Sequence, residues 1–108
     1  MIKNLDKVSS KKRQNVRRGM EFIDRMNAIE PVIDKIVVFG SAVSDDCRED
    51  SDIDVCLFSQ FNNQNQTYRT VRGRLMDEMD DVCDIIRYDR LNDAFKEVID
   101  KGVVVYEL

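Results

Sequence analysis

The chain contains no histidine, which excludes several kinds of catalysis. Histidine is the commonest general base, and without it no Ser-His or Cys-His nucleophile pair can form. The three cysteines, Cys47, Cys56 and Cys83, are odd in number and lack the paired spacing of metal ligands, so we expect no zinc site. Any enzymatic chemistry must therefore rely on carboxylates and bound metal ions.

Long apolar runs are absent as well. No stretch of about 18 apolar residues occurs, and there is no charged, apolar and small-residue leader, so we expect neither a spanning helix nor a secretory signal. The 108 residues, 43% of them hydrophobic, predict one folded domain with a modest core. Together with the unpaired cysteines, these features predict a reduced, cytoplasmic protein.

Positive charge is unevenly placed in this acidic chain, whose net charge is −4. Seven basic residues and one acidic residue lie within positions 1–18. Such a segment binds nucleic acid or an acidic partner, or forms the solvated face of a helix, and we favour the helix face. A second basic group, Arg69, Arg72 and Arg74, either contacts phosphates or forms a salt-bridged helix face, which we also favour.

Apolar periodicity predicts alternating helices and strands in a mixed α+β domain. The predicted helices cover residues 9–28, 41–45, 67–80 and 91–101, and the predicted strands cover 32–39, 52–58, 82–88 and 103–106. Residues 59–67 are polar and predict a loop. The N-terminal helix (1–30) and the remaining core (31–108) are expected to form a single domain.

The apolar positions of the first and last helices predict which sides face the core. The residues expected to point inward are Val16, Met20, Ile23 and Met26 or Asn27 in the first helix, and Leu91, Phe95, Val98 and Ile99 in the last. Gly102 is expected to cap the last helix.

Two aspartates, Asp52 and Asp54, begin the second predicted strand on either side of Ile53. Because side chains alternate along a strand, both carboxylates project from the same side. Two like charges about 4 Å apart repel by roughly 4 kcal/mol at an effective dielectric near 20. A hard cation such as Mg²⁺, which binds one or two carboxylates, water and substrate phosphates, would remove this conflict.

Gly40 and Ser41 end the first predicted strand. A glycine there lets the backbone approach a ligand closely, and a serine can cap a following helix whose free N–H groups attract phosphate. These two residues therefore predict a phosphate site near the aspartates.

Asp84 lies within the third predicted strand, where aspartate is disfavoured and needs a partner. If this strand lies beside the second, Asp84 joins Asp52 and Asp54 in one acidic cluster. Asp80 and Asp81 compete for this role, but they fall at a predicted turn, where aspartate is ordinary.

The segment Phe39-Gly40-Ser41, followed by Asp52-Ile53-Asp54 eleven positions after Ser41, resembles the signature of DNA polymerase β-like nucleotidyltransferases. The length is similar to that of their smallest members, the MNT-type (minimal nucleotidyltransferase) proteins. The resemblance covers roughly residues 30–107 and implies a small mixed β-sheet with helices packed on it. It also implies two Mg²⁺ ions held by Asp52, Asp54 and Asp84, and ATP phosphates held by Gly40 and Ser41.

The same resemblance implies a partner protein. MNT-type proteins resemble antitoxins encoded with HEPN-domain toxins, which are helical RNases silenced by transfer of AMP from ATP to a tyrosine hydroxyl. Nucleic acid is not expected as a direct substrate. Many relatives read Gly-Ser-Arg-Ala-Arg-Gly, whereas this chain reads Gly-Ser-Ala-Val-Ser-Asp over residues 40–45, so basic side chains are missing near the phosphates. Arg48 is a candidate replacement or an ordinary surface residue.

Three other interpretations stay open. In the first, the chain is a binding module that neutralises its partner by occlusion. In the second, it is an antibiotic-modifying nucleotidyltransferase. In the third, Asp52 and Asp54 are merely solvated strand-end residues. The antibiotic-modifying enzyme ranks behind both AMP transfer to a partner protein and the binding module, because 108 residues leave no room for an acceptor-binding domain.

Overall fold

The structure is a computed structural model and describes residues 1–59 and 65–108. Within these residues it contains three α-helices, α1 (Arg13–Ile29), α2 (Asn65–Met79) and α3 (Asp93–Asp100), and four strands, β1 (Lys35–Phe39), β2 (Ile53–Phe58), β3 (Cys83–Arg87) and β4 (Val103–Glu107). Single 3₁₀ turns cover Leu5–Lys7, Gly40–Val43 and Tyr88–Arg90. Of the predicted loop over residues 59–67, residues 60–64 lie outside the described residues, and α2 begins earlier than expected.

The four strands form one sheet in the order β3-β2-β1-β4. Strand β1 runs antiparallel to both β2 and β4, whereas β2 and β3 are parallel. A parallel pair needs a crossover connection, and α2 lies between these two strands in the sequence. The mixed α+β architecture expected from the sequence is confirmed.

The two faces of the sheet pack differently. One face buries its alternate residues against α1 and α2, and its members include Ile36, Val38, Ile53, Val55 and Ile85 from the strands and Val16, Met20, Ile23, Leu75 and Met79 from the helices. On the other face a smaller cluster joins Val37, Phe39 and Cys56 to Ile99 of α3. The helix α3 therefore covers only the part of this second face that lies over β1 and its neighbours.

Two expectations for the last helix are wrong. Ile99 is buried, but Phe95 is 40% exposed and Val98 is 50% exposed. A helix of eight residues lying on one strand buries a single narrow stripe, so Phe95 contacts Phe39 only edge-on, at 6.1 Å between ring centroids.

Gly102 has a different role from the cap that the sequence predicted. The C-cap residue of α3 is Lys101, and the Gly102 amide donates to the Ile99 carbonyl at 2.9 Å. A Cβ atom at Gly102 would lie 2.6 Å from Val37 Cγ1 and 2.8 Å from the Val38 carbonyl oxygen. The glycine is therefore required because the chain passes directly over β1.

Among the helices within residues 1–59 and 65–108, none combines the length and the apolar character that a bilayer crossing requires.

Lys12 is buried, unlike the solvated basic residues expected in the N-terminal segment. Its side chain is 1% exposed, and its ammonium group donates to Asp81 Oδ2 and to the Glu49 carbonyl, both at 2.8 Å. Glu49 precedes β2 and Asp81 precedes β3. One buried cation therefore ties together the starts of the two parallel strands, while most other basic residues of positions 1–18 are exposed.

Replacing Lys12 with methionine should destabilise the chain. Lys12→Met keeps most of the buried volume but leaves Asp81 and the Glu49 carbonyl without their donor, which should lower the free energy of unfolding by about 1–3 kcal/mol. Urea denaturation measures the change. The matched control is Lys7→Met, an exposed lysine of the same segment, which should cost less than about 0.5 kcal/mol. Equal losses in the two variants would contradict the buried link.

Candidate active site

Asp54 and Asp84 are direct neighbours on parallel strands. The register of β2 and β3 pairs Asp54 with Asp84, so both side chains project from the same face of the sheet. This is the face opposite Ile53, Val55 and Ile85, which are buried under α1 and α2. Asp84 is exposed and Asp54 is half-buried. The predicted neighbourhood of the second and third strands is thus present in the structure.

Asp52 lies one residue before β2, close enough to affect the pair. Burial, followed by the negative charges of Asp84 and Asp52, raises the pKa of Asp54. Over residues 1–59 and 65–108, however, no three acidic or cysteine side chains lie near enough to one another to share a metal ion. The structure therefore brings Asp54 and Asp84 together as a pair and leaves Asp52 beside them, within electrostatic reach.

Gly40 lies directly against the Asp54 carboxylate. Phe39 is paired with Asp54 across β1 and β2, and Gly40 follows with a φ of 73°, in the left-handed region that favours glycine. A Cβ atom built on Gly40 would lie 2.3 Å from Asp54 Oδ2. The Gly-Ser segment and the acidic pair are consequently parts of one site, and glycine is the residue that lets them meet.

The short helix expected after Ser41 is a single 3₁₀ turn, Gly40–Val43, without a side-chain cap. Ala42 is buried in the core, and its carbonyl accepts a hydrogen bond from the Ser9 amide at 2.7 Å, which directs the turn toward the N-terminal segment. A four-residue turn lacks the aligned peptide dipoles of an α-helix. The predicted helix terminus for phosphate is therefore not formed, and the open backbone at Gly40 and the hydroxyl of Ser41 remain.

A cavity of about 310 Å³ adjoins Gly40, between the Gly40–Val43 turn and α3. Its lining includes Phe39, Val43, Val98, Glu97 and Lys101. Lys101 is a functional candidate that the sequence analysis missed, because a lysine at the end of a helix is usual and carries no special signal. Arg48, the candidate predicted to replace the missing basic residues, is exposed and is not part of this lining.

The competing acidic residues lie away from the pair. Asp81 binds Lys12, and Asp80 is exposed at the end of α2 with a φ of 53°.

Two of the cysteines are unsuited to act as nucleophiles, because burial raises the pKa of Cys56 to about 12 and that of Cys83 to about 11. Thiols with such pKa values stay protonated and are poor nucleophiles.

The donors present at this site match a hard divalent cation. Asp54 and Asp84 offer carboxylate oxygens from adjacent strands, and burial, followed by the charges of Asp84 and Asp52, raises the pKa of Asp54. Oxygen ligands of this kind suit Mg²⁺, whereas zinc sites use cysteine and histidine.

The family follows from a sequence comparison. The family described as "Polymerase beta, Nucleotidyltransferase" matches residues 21–108, and the chain belongs to it. The resemblance noted in the sequence is therefore confirmed. A search of curated proteins finds no match to this chain.

Solved structures share the fold. A protein assigned as a minimal nucleotidyltransferase is similar with a TM-score of 0.64 and 19% identity, over 86% of this chain and 93% of the other. A chain of the toxin–antitoxin complex MntA-HepT has a TM-score of 0.59 and 15% identity, over 86% and 73%. A protein assigned as a nucleotidyltransferase from Sulfolobus solfataricus has a TM-score of 0.51 and 15% identity, over 96% and 93%. At these identities the likeness establishes the fold.

Adding one methyl group at Gly40 should damage the site. In Gly40→Ala the left-handed backbone conformation disfavours a Cβ atom, and that atom would also clash with Asp54 Oδ2. The backbone strain alone should lower the free energy of unfolding by about 1–2 kcal/mol. Urea denaturation tests this. The matched control is Gly73→Ala, since a Cβ atom there meets nothing within 4 Å and should stabilise α2 by about 0.5–1 kcal/mol. The assignment fails if Gly40→Ala is as stable as the parent.

The charge on Asp54 should destabilise the metal-free chain. Because its pKa is raised on folding, the folded state holds this proton more tightly than the unfolded state, whose ordinary pKa is 3.8. Stability should therefore fall as the pH rises from that value through the raised pKa. Asp54→Asn should remove this decline and, at neutral pH in EDTA, add roughly 0.2–1 kcal/mol.

Thermal denaturation at a series of pH values measures this effect. Asp77→Asn, which changes an exposed carboxylate on α2, serves as the control and should keep the parent's pH dependence. A parallel decline in the parent and in Asp54→Asn would show that Asp54 carries no unfavourable charge.

Proposed function

We propose that this chain is a Mg²⁺-dependent nucleotidyltransferase that transfers AMP from ATP to a tyrosine hydroxyl of a partner protein. The observation that carries the proposal is the pairing of Asp54 with Asp84 on adjacent strands, directly against Gly40. Like charges in register on one sheet face are unfavourable for folding alone. A pair of carboxylates beside an open backbone turn is expected where a cation and phosphates bind.

Each residue at this site has a role in the proposed reaction. Asp52, Asp54 and Asp84 would hold two Mg²⁺ ions, which when bound stabilise the charge that develops on the attacking and leaving oxygens. Gly40 and Ser41 lie where the β- and γ-phosphates would bind, with no side chain at Gly40 to exclude them. Asp84, the exposed member of the pair, would accept the proton of the attacking tyrosine hydroxyl, whose oxygen bonds to the α-phosphate of ATP while pyrophosphate leaves.

The cavity beside Gly40 provides a place for the nucleotide. Its volume of about 310 Å³ is at the lower end of the range for small-molecule sites. Phe39 and Val98 give it apolar walls, and Lys101 adds a positive charge that would compensate in part for the basic residues missing after Ser41. ATP bound here would have its phosphates next to the acidic pair.

The partner is proposed to be a HEPN-type toxin. One chain of the MntA-HepT complex, a toxin–antitoxin pair, shares the fold of this chain. A mutant of that toxin–antitoxin system, similar with a TM-score of 0.64 and 14% identity over 83% of this chain and 73% of the other, carries two aspartate-to-glutamate changes two positions apart. Asp52 and Asp54 have the same spacing, which supports them as the positions to test here.

The second candidate function is a non-catalytic antitoxin that neutralises its partner by occlusion. The observations that favour it are the single 3₁₀ turn in place of a helix after Ser41 and the exposed side chains of Phe95 and Val98 next to the site. An apolar surface of this kind would bury well against another protein. In that case the acidic pair would serve no reaction.

Transfer of label to the partner distinguishes the two functions. The parent chain, Mg²⁺, ATP labelled on the α-phosphate and a HEPN-type protein encoded beside it should yield a labelled partner, whereas ATP labelled on the γ-phosphate should not. Asp54→Asn and Asp84→Asn should each reduce the rate at least about 100-fold. Asp80→Asn is the matched control, since it removes an exposed carboxylate outside the acidic pair, at a position where asparagine tolerates the positive φ.

The outcomes are distinct. Full labelling by Asp54→Asn and Asp84→Asn would overturn the proposed site. A tight complex with the partner and no label in any variant would support occlusion instead.

A further inference from the structure

A second cluster of charged residues lies on the opposite face of the sheet from Asp54 and Asp84. A cleft of about 500 Å³ opens between α2 and the end of β3, and its lining comprises Tyr68, Arg69, Arg72, Ile85, Arg87 and Arg90. We call it the arginine cleft. Ile85 belongs to the core under α1 and α2, which places the cleft on that side. Four of these six lining residues are arginines and none is acidic, in a chain whose net charge is −4.

Two of the arginines supply charge that no carboxylate offsets. Arg69 and Arg72 are exposed and lie three residues apart on α2, so they project from neighbouring positions of one helix side. Among the residues described by the structure, neither forms an ion pair. The salt-bridged helix face favoured in the sequence analysis is therefore wrong for these two residues.

Hydrogen bonds and a ring contact hold the inner wall of the cleft in place. Arg87 is 7% exposed and forms a two-point contact with Asp89, with Nε–Oδ1 at 3.0 Å and Nη2–Oδ2 at 2.8 Å. Its guanidinium also lies 5.0 Å from the centroid of the Tyr68 ring, and the Tyr68 hydroxyl donates to the Ile85 carbonyl at 3.1 Å. The cleft thus has a rigid floor and a positively charged rim.

The electrostatics of Tyr68 agree with this geometry. Burial raises the pKa of Tyr68, and the charges of Arg72 and Arg87 oppose that rise. Both guanidinium groups therefore lie close enough to Tyr68 to act on it electrostatically.

We propose that the arginine cleft is a second binding site, specific for a phosphate ester. Guanidinium groups present planar, two-point donors that match phosphate oxygens, and exposed unpaired arginines are suited to that contact. The volume fits one nucleotide. The ligand is either a free mononucleotide or one nucleotide of a nucleic-acid strand, bound independently of the metal-dependent site on the other face.

Two probes separate these sources. AMP is titrated by calorimetry, and a fluorescein-labelled ten-nucleotide uridine RNA is titrated by anisotropy, both with the full chain in EDTA so that metal-dependent binding does not contribute. Saturable AMP binding with competition by AMP for the RNA assigns a mononucleotide. RNA binding that millimolar AMP does not displace assigns a strand.

Single substitutions on one helix test the location. Arg72→Gln and Arg69→Gln should each weaken binding about tenfold and, for the RNA, reduce the slope of log affinity against log salt by about 0.7. The matched control is Arg74→Gln, since Arg74 lies over the Phe22 ring at 4.8 Å and outside the cleft lining. It removes the same charge from the same helix and should leave affinity nearly unchanged. Circular dichroism checks that all three variants keep the parent's helix content.

The proposal is overturned if neither probe binds, or if Arg74→Gln weakens binding as much as Arg72→Gln. Equal affinity for polyglutamate would also overturn it, because the site would then attract any polyanion rather than a phosphate. None of these results depends on AMP transfer, so the arginine cleft and the proposed function can fail separately.

Discussion

The pairing of two aspartates on adjacent parallel strands is the constraint on which the rest of this structure depends. Asp54 and Asp84 are in register on one face of the sheet, and Gly40 fits against Asp54 only because it has no side chain. Such an arrangement is electrostatically unfavourable: burial, followed by the negative charges of Asp84 and Asp52, raises the pKa of Asp54. The chain must therefore hold the pair in place with interactions from elsewhere in the fold.

Those interactions come from the buried face and from the N-terminal segment. Residues alternating with the aspartates, among them Ile53, Val55 and Ile85, are buried against α1 and α2, which fixes the register of β2 and β3 because a one-residue slip would expose them. Lys12 joins the segments that precede these two strands. It lies outside residues 21–108, the part of the chain that matches the polymerase beta family.

Much of the site could be predicted from the sequence because its signals are local. The alternation of Asp52, Ile53 and Asp54 predicted that both carboxylates lie on the same face of a strand. Asp84 was identified because it is an aspartate within an apolar run. Its distance from Asp54 could be predicted only on the condition that the two strands are neighbours, since strand order is a property of the whole fold. The short helix predicted over residues 41–45 is instead the 3₁₀ turn Gly40–Val43, and the hydrogen bond from Ser9 to Ala42 joins residues too far apart in sequence to be read from local spacing.

Lys12 and Lys101 were missed for a related reason. Within their own segments both are ordinary lysines, and their burial or position beside the site follows from contacts with distant parts of the chain. The outward position of Phe95 and Val98 likewise depends on how narrow a stripe α3 buries, which helical spacing alone does not reveal.

The most direct test of the account is an NMR titration of the Asp54 side-chain carboxyl carbon, in the parent chain and in Asp84→Asn. The account predicts that the pKa of Asp54 is above its ordinary value in the parent, falls toward that value when Asp84 loses its charge, and falls when Mg²⁺ is added. An Asp54 pKa that is the same in both chains and unaffected by Mg²⁺ would contradict it.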